Sequence, residues 1–324
     1  MIDLLKKLTQ TDGVSGDEGD IRAVIEKEIK KYCDEISTDA MGNLIAHKKG
    51  NGKRVMLAAH MDEIGIIVTF IDDLGFIRFG AVGGLDVKDL VGRRVRFKDG
   101  TIGVIGSEDE EFSKKADINK LYIDIGISDT KKIPVQIGDR AAFVGDYTEN
   151  KTSIISKALD NRVGCYILIS ALKKIKKNKN DLYFVFTAQE EVGLRGAKTS
   201  AYSVNPEYAI AVDVTDTGDT PSAPKMAVKM GNGAAIKVMD RSILCDSTVR
   251  NLMCEVSKKN KIPYQLEIMT DGGTDAGAIH LTRAGVKTGG ISVPSRYIHS
   301  PSEMVAKSDV EACVELAINL VDSF

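Results

Sequence analysis

The stretch LYFVFTAQEEVGLRGA, residues 182–197, carries the strongest structural signal in this chain of 324 residues. Its first five residues are aromatic, branched or otherwise apolar, which is typical of a buried β-strand. Two adjacent carboxylates, Glu190 and Glu191, follow shortly after, and Val192-Gly193 then predicts a turn. Because neighbouring side chains point in different directions, we expect the two glutamates to have different roles. Acids at a strand end are often simply solvated, so the pair indicates a functional site only if partners lie elsewhere.

On both sides of this stretch, apolar strands alternate with amphipathic helices. Further buried strands are predicted at 55–59, 208–212 and 288–293. Helices are predicted at 18–32, 247–260 and 308–324. This alternation predicts an α/β fold with a mainly parallel sheet and helices on both of its faces.

The segment that follows the first buried strand has a different pattern. Short apolar runs alternate there with Gly and Asp turns, and helical spacing is nearly missing. That pattern predicts a small all-β, barrel-like domain. We therefore expect two domains. Residues 1–67 and 150–324 would form a discontinuous α/β domain that carries the chemistry, and residues 68–149 would form the inserted β-domain.

The composition excludes several classes of function. A hydrophobic content of 43% and a charged content of 28% are typical of a globular protein, and the net charge of −2 gives no general attraction to nucleic acid or anionic membranes. No segment approaches the roughly 20 apolar residues that a membrane-spanning helix needs, and the N-terminus lacks the apolar core of a signal peptide. The five cysteines are odd in number and far apart, which predicts reduced thiols in a cytoplasmic protein.

Candidate metal ligands lie beside the other predicted strand ends. His60 and Asp62 follow one strand, Asp213 ends another, Asp160 precedes a helix, and His299 lies in a loop after a strand. Taken singly, these residues have ordinary interpretations, such as a polar strand end, a helix N-cap or a surface histidine. In an open parallel sheet, however, the strand ends gather at one edge. Two histidines and three carboxylates there suit two divalent ions of the zinc or cobalt kind, with a further carboxylate left as general base. The pattern alone does not decide which ligand binds which ion.

Six motifs then identify a family. They are AAHMDEIG, KALDNRVG, TAQEEVGLRGA, AVDVT, DGGTDAGAIH and VPSRYIHSPSEM. In order and spacing, they resemble those of the dinuclear-metal aminopeptidases that assemble as tetrahedral dodecamers. This family includes glutamyl and deblocking aminopeptidases, and some members are historically labelled endoglucanase. The resemblance spans nearly the whole chain, and it implies a zinc-peptidase-like fold and hydrolysis of the N-terminal residue from peptides.

The resemblance also implies how the metal ligands are shared. His60 and Asp213 would bind one ion, and Glu191 and His299 would bind the other. Asp160 would bridge the two ions, which would be zinc or cobalt.

Further residues take roles from the same resemblance. Glu190 would be the general base, and Asp62 would support the neighbouring metal-binding histidine. The loop that contains Gly272, Gly273 and Asp275 matches a loop near the family's substrate cleft, where these residues would shape the pocket.

The inserted β-domain would serve dimerisation and assembly. Many relatives carry Pro and His after the segment GVIG at 103–106, whereas this chain reads SEDEE at 107–111. The resemblance implies a homo-oligomer built from dimers. Because of the departure at 107–111, both a dimer and a tetrahedral dodecamer remain open.

Two other enzyme classes fit parts of the pattern. An endoglucanase-type glycoside hydrolase needs two carboxylates about 5–9.5 Å apart across a sugar bond, and it leaves His60 and His299 without a task. A related dinuclear-metal carboxypeptidase or deacylase needs a cationic group for the carboxylate of its substrate, and the sequence identifies no Lys or Arg for this. The family resemblance instead implies peptide substrates with a free N-terminus.

Overall fold

The computed structural model of the protein describes residues 2–109, 116–221 and 223–324. Within these ranges the α-helices are α1 Ile2–Gln10, α2 Gly19–Ile29, α3 Leu159–Lys174, α4 Arg195–Val204, α5 Ser247–Asn260, α6 Asp275–Ile279 and α7 Lys307–Leu320. The strands are β1 Glu35–Thr38, β2 Leu44–Lys48, β3 Arg54–His60, β4 Gly65–Ile71, β5 Ile77–Val82, β6 Arg94–Phe97, β7 Ile102–Ser107, β8 Leu121–Asp124, β9 Arg140–Phe143, β10 Thr148–Glu149, β11 Ser153–Ser156, β12 Asp181–Thr187, β13 Tyr208–Thr215, β14 Ala234–Met239, β15 Tyr264–Ile268, β16 Lys287–Arg296 and β17 Glu303–Ala306. Among these helices, none is both long enough and apolar enough to cross a membrane.

An 11-stranded mixed sheet forms the centre of the α/β part. Its main path has the strand order β1-β2-β12-β3-β13-β16-β17-β11-β10, and β14 and β15 extend from β16. The central strands β12, β3, β13 and β16 are parallel to one another, whereas the strands toward the two ends of this path pair antiparallel. The predicted α/β fold with a mainly parallel sheet is thereby confirmed.

Helices cover both faces of the sheet, because alternate residues of the central strands point to opposite sides. On β12, Leu182, Phe184 and Phe186 pack into the larger core, which includes residues of α1, α2, α3, α5 and α7. The intervening Val185 packs on the other face, with residues of α4 and α6. Burial of a phenylalanine side chain contributes roughly 1.5–3 kcal/mol relative to its exposure. The apolar run at 182–186 therefore anchors both layers.

The inserted part is a closed barrel of the strands β4-β5-β8-β7-β6-β9. All its neighbouring strands pair antiparallel, and β4 closes the barrel against β9. Its interior is a separate core that includes Ile66, Phe79, Phe97 and Ile123. The predicted all-β insert is confirmed as a barrel. Strand β10 pairs with β11 and therefore already belongs to the main sheet.

A buried network of charges joins the barrel to the sheet. Lys157 Nζ lies 2.6 Å from Glu63 Oε2 and 2.9 Å from Asp12 Oδ1. Arg162 Nη2 lies 3.1 Å from Glu63 Oε1, and Asp12 in turn pairs with Arg96 of β6 at 2.7 Å. Glu63, Lys157 and Arg162 are all buried. The network therefore fixes the backbone beside two of the candidate metal ligands.

Replacement of Glu63 by alanine is expected to lower the free energy of unfolding by about 3–5 kcal/mol. The variant leaves the buried Arg162 without its carboxylate and leaves Lys157 with Asp12 alone, and unpaired buried charges are costly. Urea unfolding measures the loss. Lys98→Ala is the matched control, because Lys98 is 65% exposed in its pair with Asp17, and we expect a change below about 1 kcal/mol. A Glu63→Ala variant of wild-type stability would show that the network does not stabilise this junction.

Candidate metal centre

The carboxyl ends of the parallel strands meet at one edge of the sheet. His60 ends β3 and is in register with Thr187, the last residue of β12. Asp213 lies near the end of the adjacent β13, and Asp160 lies in the first turn of α3. Together with the loop after β16, these segments surround a cleft of about 490 Å³. This is where ligands bind in open α/β sheets.

His60 faces three carboxylates. Its Nε2 atom lies 3.0 Å from Asp160 Oδ1, 3.7 Å from Asp213 Oδ1 and 4.0 Å from Glu190 Oε2. All four residues are buried. Burial opposes the charged imidazolium, but Glu190, Asp160, Asp213 and Asp62 outweigh it and raise the pKa of His60 well above its usual value. Such an excess of negative charge favours a bound cation, whether a proton or a metal ion.

His299 forms the other half of the site. Its Nε2 atom lies 3.2 Å from Glu191 Oε2 and 3.4 Å from Asp160 Oδ2. Burial lowers the pKa of His299, but hydrogen bonds to Asp160 and Glu191 raise it to about 12. The second oxygen of Glu191, Oε1, is buried and has no hydrogen-bond partner among the residues that the structure describes. A buried, unpaired carboxylate oxygen is costly, and a bound cation would remove that cost.

Asp160 connects the two halves, since one of its oxygens faces His60 and the other faces His299. Burial raises the pKa of Asp160, but hydrogen bonds to His299 and His60 outweigh burial and lower it. The ordinary interpretation of Asp160 as a helix N-cap does not apply. Asp160 and Asn161 have non-helical backbone angles, and it is the side chain of Asn161 whose Oδ1 accepts a hydrogen bond from the backbone N–H of Gly164 at 3.0 Å. The peptide bond between Asp160 and Asn161 is cis.

The donor atoms fit divalent ions such as zinc or cobalt, which accept both imidazole nitrogen and carboxylate oxygen. Two overlapping groups bring their ligand atoms within 4.8 Å of one another: His60 with Asp160 and Glu191, and His60 with Glu190 and Asp213. The second group contains Glu190, so distance alone does not separate Glu190 from the ligands.

Asp62 anchors the turn that carries the glutamate pair. Its Oδ1 accepts a hydrogen bond from the backbone N–H of Glu190 at 3.0 Å. Its Oδ2 accepts from the backbone N–H of Glu191 at 3.2 Å and from the Ser15 hydroxyl at 2.6 Å. His60 Nδ1 lies 3.2 Å from the backbone carbonyl oxygen of Asp62 and 3.5 Å from Oδ1. Asp62 therefore contacts His60, but its carboxylate mainly orients the turn at Glu190 and Glu191.

The predicted pocket loop divides between the cleft wall and the interior. Gly272 and Gly273 line the cleft, and Gly272 has a φ of +69°, which favours glycine. Asp275 is absent from the described residues that line the cleft. It is buried, its Oδ2 accepts a hydrogen bond from Thr187 Oγ1 at 2.5 Å, and burial raises its pKa to about 7. Asp275 is the first residue of α6, and its hydrogen bond with Thr187 links this helix to the end of β12.

Sequence reasoning did not identify three buried glutamates that hold the loops around the site. Glu18 accepts from the backbone N–H of Gln189 at 3.1 Å, and Glu63 accepts from the backbone N–H of Gly13 at 2.9 Å. Glu303 accepts from two backbone N–H groups of the site itself. Glu63 and Glu303 had a usable signal, since they lie in the motifs AAHMDEIG and VPSRYIHSPSEM, whereas Glu18 lies in none of the six motifs.

The barrel also contributes a wall of the cleft, which the sequence did not predict. Gly84, in the loop after β5, lines the cleft next to His299. A Cβ atom at Gly84 would lie 3.1 Å from His299 Nδ1, which is closer than ordinary van der Waals contact. Glycine at this position therefore lets the barrel loop approach the imidazole ring.

Comparisons with known proteins point to one family. The sequence model of the M42 glutamyl aminopeptidases matches residues 42–316. The chain is 54% identical to an Acetivibrio thermocellus protein assigned to the aminopeptidases, over 99% of this chain and 98% of that protein. It is 34% identical to the lysyl aminopeptidase of Pyrococcus furiosus, over 99% of this chain and 96% of that protein. The structure of the TET1 peptidase of Pyrococcus horikoshii, which can assemble into a tetrahedron or a large octahedral shell, superposes with a TM-score of 0.88 at 36% identity, over 99% of this chain and 98% of that one.

Asp62→Asn is expected to weaken the binding of divalent ions by about 10–100-fold. An amide offers one acceptor oxygen where the carboxylate offers two, so an N–H of the turn at Glu190 and Glu191 loses its partner. Titration with Co²⁺ against a competing chelator measures the affinity. Asp309→Asn is the matched control, because Asp309 is buried and also accepts two backbone N–H groups, from Gly231 and Gly233. Unchanged affinity in Asp62→Asn would contradict this role of Asp62.

Proposed function

Because the chain belongs to the M42 glutamyl aminopeptidase family, whose members are metal-dependent peptide hydrolases, we propose that it removes the N-terminal residue of peptides with two divalent ions and a glutamate base. One observation carries this proposal: the two carboxylate oxygens of Asp160 face two different histidines, at 3.0 Å from His60 and 3.4 Å from His299. A carboxylate in that position is placed to bridge two cations.

The proposed ligand set follows from these contacts together with the family resemblance. His60 and Asp213 would hold one ion, Glu191 and His299 would hold the other, and Asp160 would reach both. The unpaired Oε1 atom of Glu191 supports its assignment as a ligand. Zinc or cobalt suits the mixed imidazole and carboxylate donors. When bound, such ions polarise the scissile carbonyl and lower the pKa of a water molecule to about 7.

Glu190 is the proposed general base. Its side chain lines the cleft, while Asp62 holds its backbone N–H. Burial raises the pKa of Glu190 well above its usual value, and although His60 opposes the rise, Asp213 and Asp275 add to it. A carboxylate with a raised pKa is suited to accept a proton from the attacking water and to return it to the leaving amine. This role needs Glu190 to remain outside the ligand set.

The charge of the cleft favours an amino terminus over a carboxyl terminus. Among the described residues that line it, none is Lys or Arg, whereas Glu190 and Asp216 carry carboxylates that the proposed ligand set leaves free. A substrate ammonium group is attracted to such a surface, and a carboxypeptidase would lack a cationic side chain for the terminal carboxylate of its substrate. The same charges disfavour an acidic first residue, so we expect apolar or basic N-terminal residues to be preferred over glutamate.

The glycoside-hydrolase alternative has no support in the family match, which is to peptidases. It would also leave the contacts of His60 and His299 with the buried carboxylates unexplained. The five cysteines are free, which is consistent with the reducing, cytoplasmic location that we propose.

Assembly into a homo-oligomer is proposed from the TET1 peptidase of Pyrococcus horikoshii. On the barrel, Val91, Ile102 and Val104 are 45%, 43% and 45% exposed, and a second subunit would cover such side chains. The segment 107–111 differs from that of many relatives. Within it, Glu108 forms an ion pair with Arg78, and residues 110 and 111 lie outside the described residues.

Glu190→Gln is expected to keep both ions and to lose at least about 100-fold in kcat, because the amide cannot carry the proton. Elemental analysis gives the metal content, and an aminoacyl p-nitroanilide assay gives kcat. Glu191→Gln serves as the comparison, because a changed ligand should reduce the metal content as well. Normal turnover of Glu190→Gln would exclude Glu190 as the base, and loss of an ion would identify it as a ligand.

A substrate panel tests the proposed reaction class. Chelated enzyme should be inactive, and added Zn²⁺ or Co²⁺ should restore cleavage of leucyl and lysyl p-nitroanilides. Their N-acetylated forms should not be cleaved, and kcat/KM for the glutamyl substrate should be at least about tenfold lower, a difference of about 1.4 kcal/mol. Equal cleavage of free and acetylated substrates would contradict an aminopeptidase. Chelator-resistant hydrolysis of a β-glucan would instead support the glycoside hydrolase.

A further inference from the structure

Glu303 lies between the two chain segments that carry Asp160 and His299. It is the first residue of β17, where it pairs with Ser156 of β11, and β11 leads directly into α3 and Asp160. The other neighbour of β17 is β16, whose downstream loop contains His299. The strand pairing thus places one side chain next to both halves of the metal centre.

The carboxylate of Glu303 contacts both segments through their backbones. Oε2 accepts a hydrogen bond from the N–H of Asp160 at 2.8 Å, and Oε1 accepts from the N–H of His299 at 3.0 Å. Glu303 is 2% exposed and is absent from the described residues that line the cleft. It therefore lies behind the proposed ligands and outside the lining of the cleft.

Both segments have backbone conformations that need outside support. His299 and Tyr297 have φ values of +62° and +60°, and Ala158 has a φ of +54°, although none of them is glycine. Such left-handed residues cost on the order of 1–3 kcal/mol each, and they persist only where surrounding contacts hold them. The hydrogen bond from the His299 N–H to Glu303 fixes one of these residues directly.

We propose that Glu303 is a positioning residue that holds Asp160 and His299 at the separation required to bind the two ions. This inference rests on the proposed function, because it takes both residues as metal ligands. It assigns to Glu303 a role at the second ion that parallels the contact of Asp62 with the turn at Glu190 and Glu191.

A carboxylate suits this role better than an amide. Both carboxylate oxygens accept hydrogen bonds, whereas a glutamine at the same position would direct its NH₂ group toward one of the two N–H donors. Burial, followed by the charge of Asp160, raises the pKa of Glu303, and the two N–H donors oppose this rise. Cations at the neighbouring ligands also favour its ionised form.

The test compares metal binding by the wild type, Glu303→Gln and Glu267→Gln. The matched control, Glu267, is also fully buried, but it pairs with Lys237 and does not line the cleft. Competition with a chelator gives the Co²⁺ affinities, and the visible absorption of bound Co²⁺ reports the geometry of its ligands. We expect Glu303→Gln to bind at least one ion about 10–100-fold more weakly and to change the absorption, and we expect Glu267→Gln to match the wild type.

Further variants separate the possible outcomes. Glu303→Asp keeps a carboxylate on a shorter side chain, so it should bind Co²⁺ with intermediate affinity and can replace Glu303→Gln if that variant does not fold. Wild-type affinities and absorption in a folded Glu303→Gln would overturn the proposal, as would failure of both variants to fold. His299→Ala distinguishes the two levels of inference. If it binds both ions like the wild type, the proposed ligand set fails; if it loses an ion while Glu303→Gln does not, only the role of Glu303 fails.

Discussion

Repulsion among buried carboxylates around Asp160 dominates the electrostatics of the cleft. Asp160, Glu190, Glu191 and Asp213 lie at the cleft with only His60 and His299 as nearby cationic partners among the described residues. Buried carboxylates that lack compensation are costly, so this arrangement favours cations between them. The parallel sheet makes the arrangement possible, because the carboxyl ends of its neighbouring strands lie at one edge.

Two further buried carboxylates hold the backbone of the proposed ligands. Asp62 accepts the N–H groups of Glu190 and Glu191, and Glu303 accepts those of Asp160 and His299. These contacts are made to the backbone, so they would orient the proposed ligands without using their side chains. Farther out, Glu63 joins Lys157 and Arg162 and so connects the same segments to the helices and the barrel.

Local patterns predicted the fold well, and long-range contacts explain what they did not predict. The run at 182–186 is the buried strand β12, and the helix predicted at 247–260 has these bounds in α5, because each has strong periodicity and clear ends. The helix predicted at 18–32 ends earlier, at Ile29, since its last turn lacks apolar contacts that would extend it. The sequence pattern predicted candidate histidine and carboxylate ligands near strand ends. Which of them would bind which ion was implied only by the family resemblance. Glu303 and Gly84 act across distant segments, and no local spacing encodes such contacts.

We propose that two ions share Asp160 between the two histidine-containing halves of the centre. Anomalous diffraction from crystals of the Zn²⁺-loaded protein tests this claim most directly. We predict two zinc peaks roughly 3.5–4 Å apart, one beside His60 and Asp213 and the other beside Glu191 and His299, with Asp160 in contact with both. A single peak at full zinc occupancy, or two peaks of which only one contacts Asp160, would contradict the claim.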